Sequence, residues 1–88
     1  MHAVVTNVTL TQDPEASEAT LKEQVVPRIS QEPGFVAGYW TRNGNDGLSM
    51  TVWESEDAAN AASGMARQVV PEGVNLDSIE VREVVASA

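Results

Sequence analysis

Gly34–Arg42 (GFVAGYWTR), Asn43–Gly47 (NGNDG) and Leu48–Glu54 (LSMTVWE) decide the fold. The first and third stretches are rich in aromatic and β-branched residues. The middle one is turn chemistry, with several residues that tolerate positive φ. Together they predict a β-hairpin. A two-residue turn at Asn43-Gly44 or Gly44-Asn45 pairs odd positions of the first strand with even positions of the second. Phe35, Ala37 and Tyr39 then share a face with Leu48, Met50 and Val52. Val36, Gly38 and Trp40 share the other with Ser49, Thr51 and Trp53.

Upstream, His2–Leu10 (HAVVTNVTL) reads as a strand with Val4, Val8 and Leu10 on one side and Val5, Asn7 and Thr9 on the other. Asp13-Pro14 marks a helix start, with Glu15 and Glu18 near the positive end of its dipole. Leu21, Val25 and Ile29 follow at helical spacing, and Pro27 is expected to kink this helix or end its regular part near Val26. Downstream, Ser55 caps a second helix, with Ala58, Ala62, Met65 and Val69 in one arc flanked by Ala61 and Ala66. Pro71-Glu72-Gly73 is expected to end it. A last strand is predicted from about Leu76 to Val85, with Ile79, Val81 and Val85 on one side.

The order β-α-β-β-α-β is the ferredoxin-like arrangement, an α+β fold in one domain spanning 1–88. Right-handed crossovers place both helices on one face of a four-stranded antiparallel sheet. The alternation of Val4, Val8 and Leu10 suggests that Phe35, Ala37, Tyr39, Leu48, Met50 and Val52 meet the helices. Trp40, Thr51 and Trp53 are then expected on the uncovered face beside Asn7. Tryptophan offers on the order of 200 Å² of surface, at roughly 25 cal/mol per Å² on burial. Such a face needs a cover, and a second copy of the sheet is the simplest one. The expected assembly is a homodimer through the helix-free face. The two tryptophans either hold the dimer together or line a ligand cavity between two sheets, with Asn7 supplying polar contacts.

The chain has 88 residues, five basic and thirteen acidic, for a formal net charge of −8. No basic patch is available to neutralise phosphates, so neither nucleic acid nor an anionic membrane is an expected partner. There is no cysteine, which excludes thiol catalysis, disulfides and thiolate metal sites. One histidine, His2, excludes a multi-histidine metal site within the chain. No signal peptide or membrane span is expected, and the expected location is the cytoplasm.

Glu32–Arg42 (EPGFVAGYWTR), followed by a polar turn and Val52–Ala58 (VWESEDA), resembles the antibiotic biosynthesis monooxygenase-like family. That family pairs a PGF second strand with a third strand ending in WES before an acidic, alanine-rich helix. The resemblance implies a dimeric α+β barrel, with two sheets face to face and all helices outside. It also implies activities such as cofactor-independent oxygenation of aromatic polyketides or heme degradation. Asn7 stands where heme-degrading members carry an asparagine. Those members also need a histidine ligand and a tryptophan within the second helix, where this chain has Ala58, Ala61, Ala62 and Met65. No cofactor is therefore expected.

A general base is hard to find: His2 is terminal, and Glu80 and Arg82 read as a solvated pair. The ligand-pocket candidates are Asn7, Trp40, Thr51, Trp53 and Arg82. Asn7, Trp40 and Thr51 would position an electron-rich phenol near dioxygen, with Arg82 favouring its anion. Two functions stay open. One is a cofactor-independent oxygenase acting on an aromatic or polyketide-like molecule. The other is a non-catalytic dimeric module that binds a small molecule.

Overall fold

A computed structural model of the chain describes residues 1–11, 13–68, 70 and 73–88. The sequence folds locally as its turns and caps dictate. Strand β1 is His2–Leu10, β2 is Phe35–Asn43, β3 is Asp46–Trp53 and β4 is Val74–Glu83. The first helix, α1, runs over 14–29. It is α-helical at Pro14–Thr20, π-helical at Leu21–Val25 and α-helical again at Val26–Ile29. The second, α2, is Glu56–Gln68. The Asp13 carboxylate accepts a hydrogen bond from the Glu15 N–H at 3.0 Å, and the Ser55 hydroxyl accepts one from the Ala58 N–H at 3.1 Å. Both helices thus start on the side-chain caps that the sequence suggests.

The disturbance expected around Pro27 is real but sits one turn earlier. Pro27 has no N–H to give to the turn before it. The hydrogen bonding loosens to a π turn just ahead of it, and the helix then continues to Ile29. The buried stripe of small residues on α2 also shifts by one position. Ala59 and Ser63 are the buried ones, Ala58, Ala62, Met65 and Ala66 are half-buried, and Ala61 is exposed. Val69, Pro71 and Glu72 lie outside the described residues. Strand β4 ends at Glu83 rather than Val85, and Val85 is exposed.

The sheet order is β2-β3-β1-β4, all antiparallel, which is the ferredoxin-like α+β fold. The hairpin turn is the two-residue Gly44-Asn45, with Asn43 opposite Asp46. Odd positions of β2 pair with even positions of β3 from Ala37 onward, as expected.

The faces are the other way round. Val4 lies opposite Thr51, and Thr6 opposite Ser49. Thr51 and Trp53 therefore turn toward the helices, and Trp40, opposite Ser49, goes with them. Trp53 is 2% exposed and packs with Val4 and Ala59 at the centre of the core. Tyr39 is 61% exposed and Met50 41%, on the helix-free face. The expectation failed because it matched the apolar positions of β1 to those of β3. The helix side of β3 in fact carries Ser49 and Thr51, and it is Trp53 that fills the core. Phe35 does meet the helix side, because a bulge at Val36 brings it opposite Trp53. Their rings stand edge to face, with centroids 5.5 Å apart.

The core is small. Ala3, Val4, Trp53 and Ala59 are its buried apolar residues among those described. Trp53→Ala removes the largest of them, so it acts on the fold of each chain rather than on a tryptophan-lined interface. The expected loss is about 3–5 kcal/mol, read from guanidinium unfolding curves. A loss under about 1 kcal/mol would contradict the central position of this side chain.

Candidate functional site

Helix α2 packs closely on β1, β3 and β4, because alanine and serine on its buried face let the backbone approach the sheet. Helix α1 is held at its C-terminal end, where Ile29 packs against the core, and elsewhere it stands off the strands. The gap beneath it is a cleft of about 450 Å³ between the helices and the sheet. Its walls are mainly apolar, with Val4 and Val8 from β1, Trp40 from β2, and Leu21, Val25 and Ile29 from α1. The π turn supplies three lining residues, Leu21, Lys22 and Val25. π turns recur at functional sites because they re-aim side chains within a helix.

Polar groups are few. Thr51 is buried on the sheet side, and its hydroxyl accepts a hydrogen bond from the Trp53 indole N–H at 2.9 Å. The hydroxyl proton remains as a donor. Glu18, Lys22 and Arg42 complete the charged part of the lining. The Lys22 ammonium lies 3.0 Å from Glu18, and the Arg42 guanidinium lies 3.6 Å from its other oxygen. The hydrogen bond and charge of Lys22, then the charge of Arg42, hold the Glu18 carboxyl below the ordinary glutamate range. Glu18 is the one carboxylate of the lining among the described residues, so the cleft offers no pair of carboxylates for acid–base work.

Trp40 has its place because Gly38 leaves room. A Cβ on Gly38 would sit 2.7 Å from Trp40 Cη2 and 3.3 Å from Phe35 Cζ. The indole therefore lies across the glycine and forms a flat wall.

Of the sequence candidates, Trp40, Thr51 and Trp53 come together at this cleft. Asn7 and Arg82 do not. Asn7 is exposed on the helix-free face and donates to the Ser78 hydroxyl at 3.0 Å. Arg82 is exposed on that face too, bonded to Glu80 at 2.8 Å. The cleft thus lies between helices and sheet, not between two sheets. Sequence reasoning placed neither Lys22 nor Arg42 on a site, and the fold brings both to this cleft. His2 approaches Glu56 at 3.6 Å, at the start of α2, and does not line the cleft.

No protein-family model matches the chain, and no curated protein does. Among solved structures it is similar to the heme degrader MhuD from Mycobacterium tuberculosis, which was solved with two hemes bound in its active site. The TM-score is 0.63 at 20% identity, over 100% of this chain and 99% of that one. The two proteins share a fold. At this identity the likeness extends to the fold alone. Heme iron needs an axial histidine, cysteine, methionine or tyrosine. Among the described residues the cleft lining holds none of these, and the chain's one histidine lies beside Glu56 at the start of α2.

Gly38→Ala tests the wall. The added methyl must push the Trp40 ring aside, at a cost of about 1–3 kcal/mol. The near-ultraviolet circular dichroism and the tryptophan emission should change while the far-ultraviolet spectrum stays. Unchanged aromatic signals would mean that Trp40 does not lie over Gly38.

Proposed function

We propose that the chain is a homodimeric small-molecule-binding protein of the monooxygenase-like fold, and that its ligand is a small, largely apolar, aromatic molecule. The observation that carries this is the cleft beneath α1, which is about 450 Å³ and mainly apolar, with an indole wall and a buried hydroxyl. Ligand sites have this make-up, with apolar lining and a few polar groups that fix orientation.

The homodimer rests on the opposite face. Val5, Met50 and Tyr39 form one row across the sheet, and Ala3, Val52 and Ala37 form the next. Exposed Tyr39, Met50 and Leu48 make this an apolar surface of a kind that marks an interaction site. The chain exposes 5743 Å², against about 5000 Å² for a compact monomer of its mass. Covering the helix-free face with a second copy would remove much of that excess.

Cofactor-independent oxygenation is the second reading. The resemblance at 32–42 and 52–58 supports it, and so does the fold. In that reading Trp40 stacks on an electron-rich phenol and Thr51 fixes its orientation, since Asn7 and Arg82 face away. Among the described residues the lining contains no histidine or carboxylate pair to act as a base, which favours binding over turnover.

Native mass spectrometry and ultracentrifugation test the assembly. The wild type should be a dimer at micromolar concentration, and Met50→Asp should be a folded monomer. A monomeric wild type would end the dimer proposal. Extra mass on the native protein that is lost on denaturation would identify the ligand class. Oxygen uptake with a hydroxylated aromatic compound would move the assignment to the oxygenase.

A further inference from the structure

We propose that the cleft recognises an organic anion, with the apolar body of the ligand under α1 and its negative group held by Lys22 and Arg42 in place of Glu18. This rests on the cleft reading above and names the class of molecule the cleft takes.

The argument starts from charge. The chain has five cations among thirteen acids. Two of the five, Lys22 and Arg42, line the cleft beneath α1. They come from different elements, the π turn of α1 and the far end of β2, and meet there only because of the fold. A single carboxylate, that of Glu18, lies between them. Two positive charges against one negative leave a local excess of one, on a chain whose formal charge is −8. A solvated surface of such a chain has no need of that arrangement.

Geometry points the same way. The distance from Arg42 to Glu18, 3.6 Å, is too long for a hydrogen bond. Among the described residues the guanidinium has no side-chain hydrogen bond, so its fork is free for a planar or tetrahedral anion. The Lys22, Arg42 and Glu18 side chains are 70%, 41% and 43% exposed. Ion pairs this exposed are weak, so a ligand anion can displace Glu18 at little cost. The rest of the wall is mainly apolar, with a few hydroxyls and no other charge among the described residues, which favours the Lys22–Arg42 end for the anionic group. A carboxylate, sulfonate, phosphate or phenolate on an aromatic body fits this division.

Two fluorescent probes with one apolar body test it: anilinonaphthalene sulfonate, which is anionic, and phenylnaphthylamine, which lacks the sulfonate. The quantity read is the ratio of their affinities in each variant. Arg42→Gln should lower the sulfonate's advantage about tenfold, which corresponds to losing one charge-assisted hydrogen bond. Glu18→Gln should raise it several-fold by removing the competing carboxylate. Ala66→Phe, which narrows the cleft from α2, should weaken both probes alike, with far-ultraviolet spectra confirming that each variant folds. If phenylnaphthylamine binds and the ratio is the same in wild type, Arg42→Gln and Glu18→Gln, the anion proposal is overturned and the cleft reading survives. If neither probe binds the wild type, or Ala66→Phe weakens neither, the cleft reading fails and takes this proposal with it.

Discussion

The pairing of Val4 with Thr51 is the constraint on which the molecule depends. It sets the parity of β3 against β1, and so decides which side of the sheet carries Trp53 and Trp40. With that register, the largest side chain of β3 meets the smallest residues of α2. Trp53 lies against Ala59, with Ala58 and Ala62 beside it. A shift of one residue would put the tryptophans in water and Met50 and Leu48 under the helices. The hairpin transmits the choice to β2 through its two-residue turn, and the bulge at Val36 then recovers Phe35 for the core.

The cleft follows from the same packing. Helix α2 approaches the sheet because its buried face is small. Helix α1 carries Leu21, Val25, Val26 and Ile29 toward the strands, and the sheet below it offers Thr6, Ser49 and Gly47, which have little volume. Large residues on the helix and small ones on the sheet do not by themselves close a gap when the helix is fixed at only one end. Ile29 anchors that end in the core, Pro27 lies within the same turn, and the π segment carries the helix away over the open part of the sheet. A void of this size inside a chain with so small a core is a cost in lost dispersion contacts, which a bound apolar molecule would restore.

Much of this was legible in the sequence. The extent of β1, the caps at Asp13 and Ser55 and the hairpin pairing rest on local chemistry, and they read correctly. The faces were not legible, because they depend on a register between residues nearly fifty positions apart. Asn7 and Arg82 lie on the helix-free face as expected, and it was Trp40, Thr51 and Trp53 that were placed beside them through that one parity error. A signal for the right answer was present. Ala58, Ala59, Ala62 and Ser63 form a helix face with little volume, and such a face needs a large partner on the sheet. Trp53 is the side chain that supplies it. Gly38 two residues before Trp40 is a second sign, since a glycine on a strand often makes room for a ring. Lys22 and Arg42 had no local signature, because only the tertiary fold brings them to one cleft.

The two faces of the sheet now divide the work. The helix-free face exposes Tyr39, Met50 and Leu48 beside the polar Asn7 and Arg82, which suits a flat partner such as a second sheet. The helix side is concave and holds the cleft. A cavity between two sheets would need the dimer to exist at all, so ligand binding and assembly would rise and fall together. The cleft beneath α1 lies on the side of the sheet away from the proposed dimer face. A second copy laid on the other face leaves its walls and its charged end as they are. On the proposed reading, assembly would mainly stabilise a sheet whose own core is small, and recognition would belong to each chain separately.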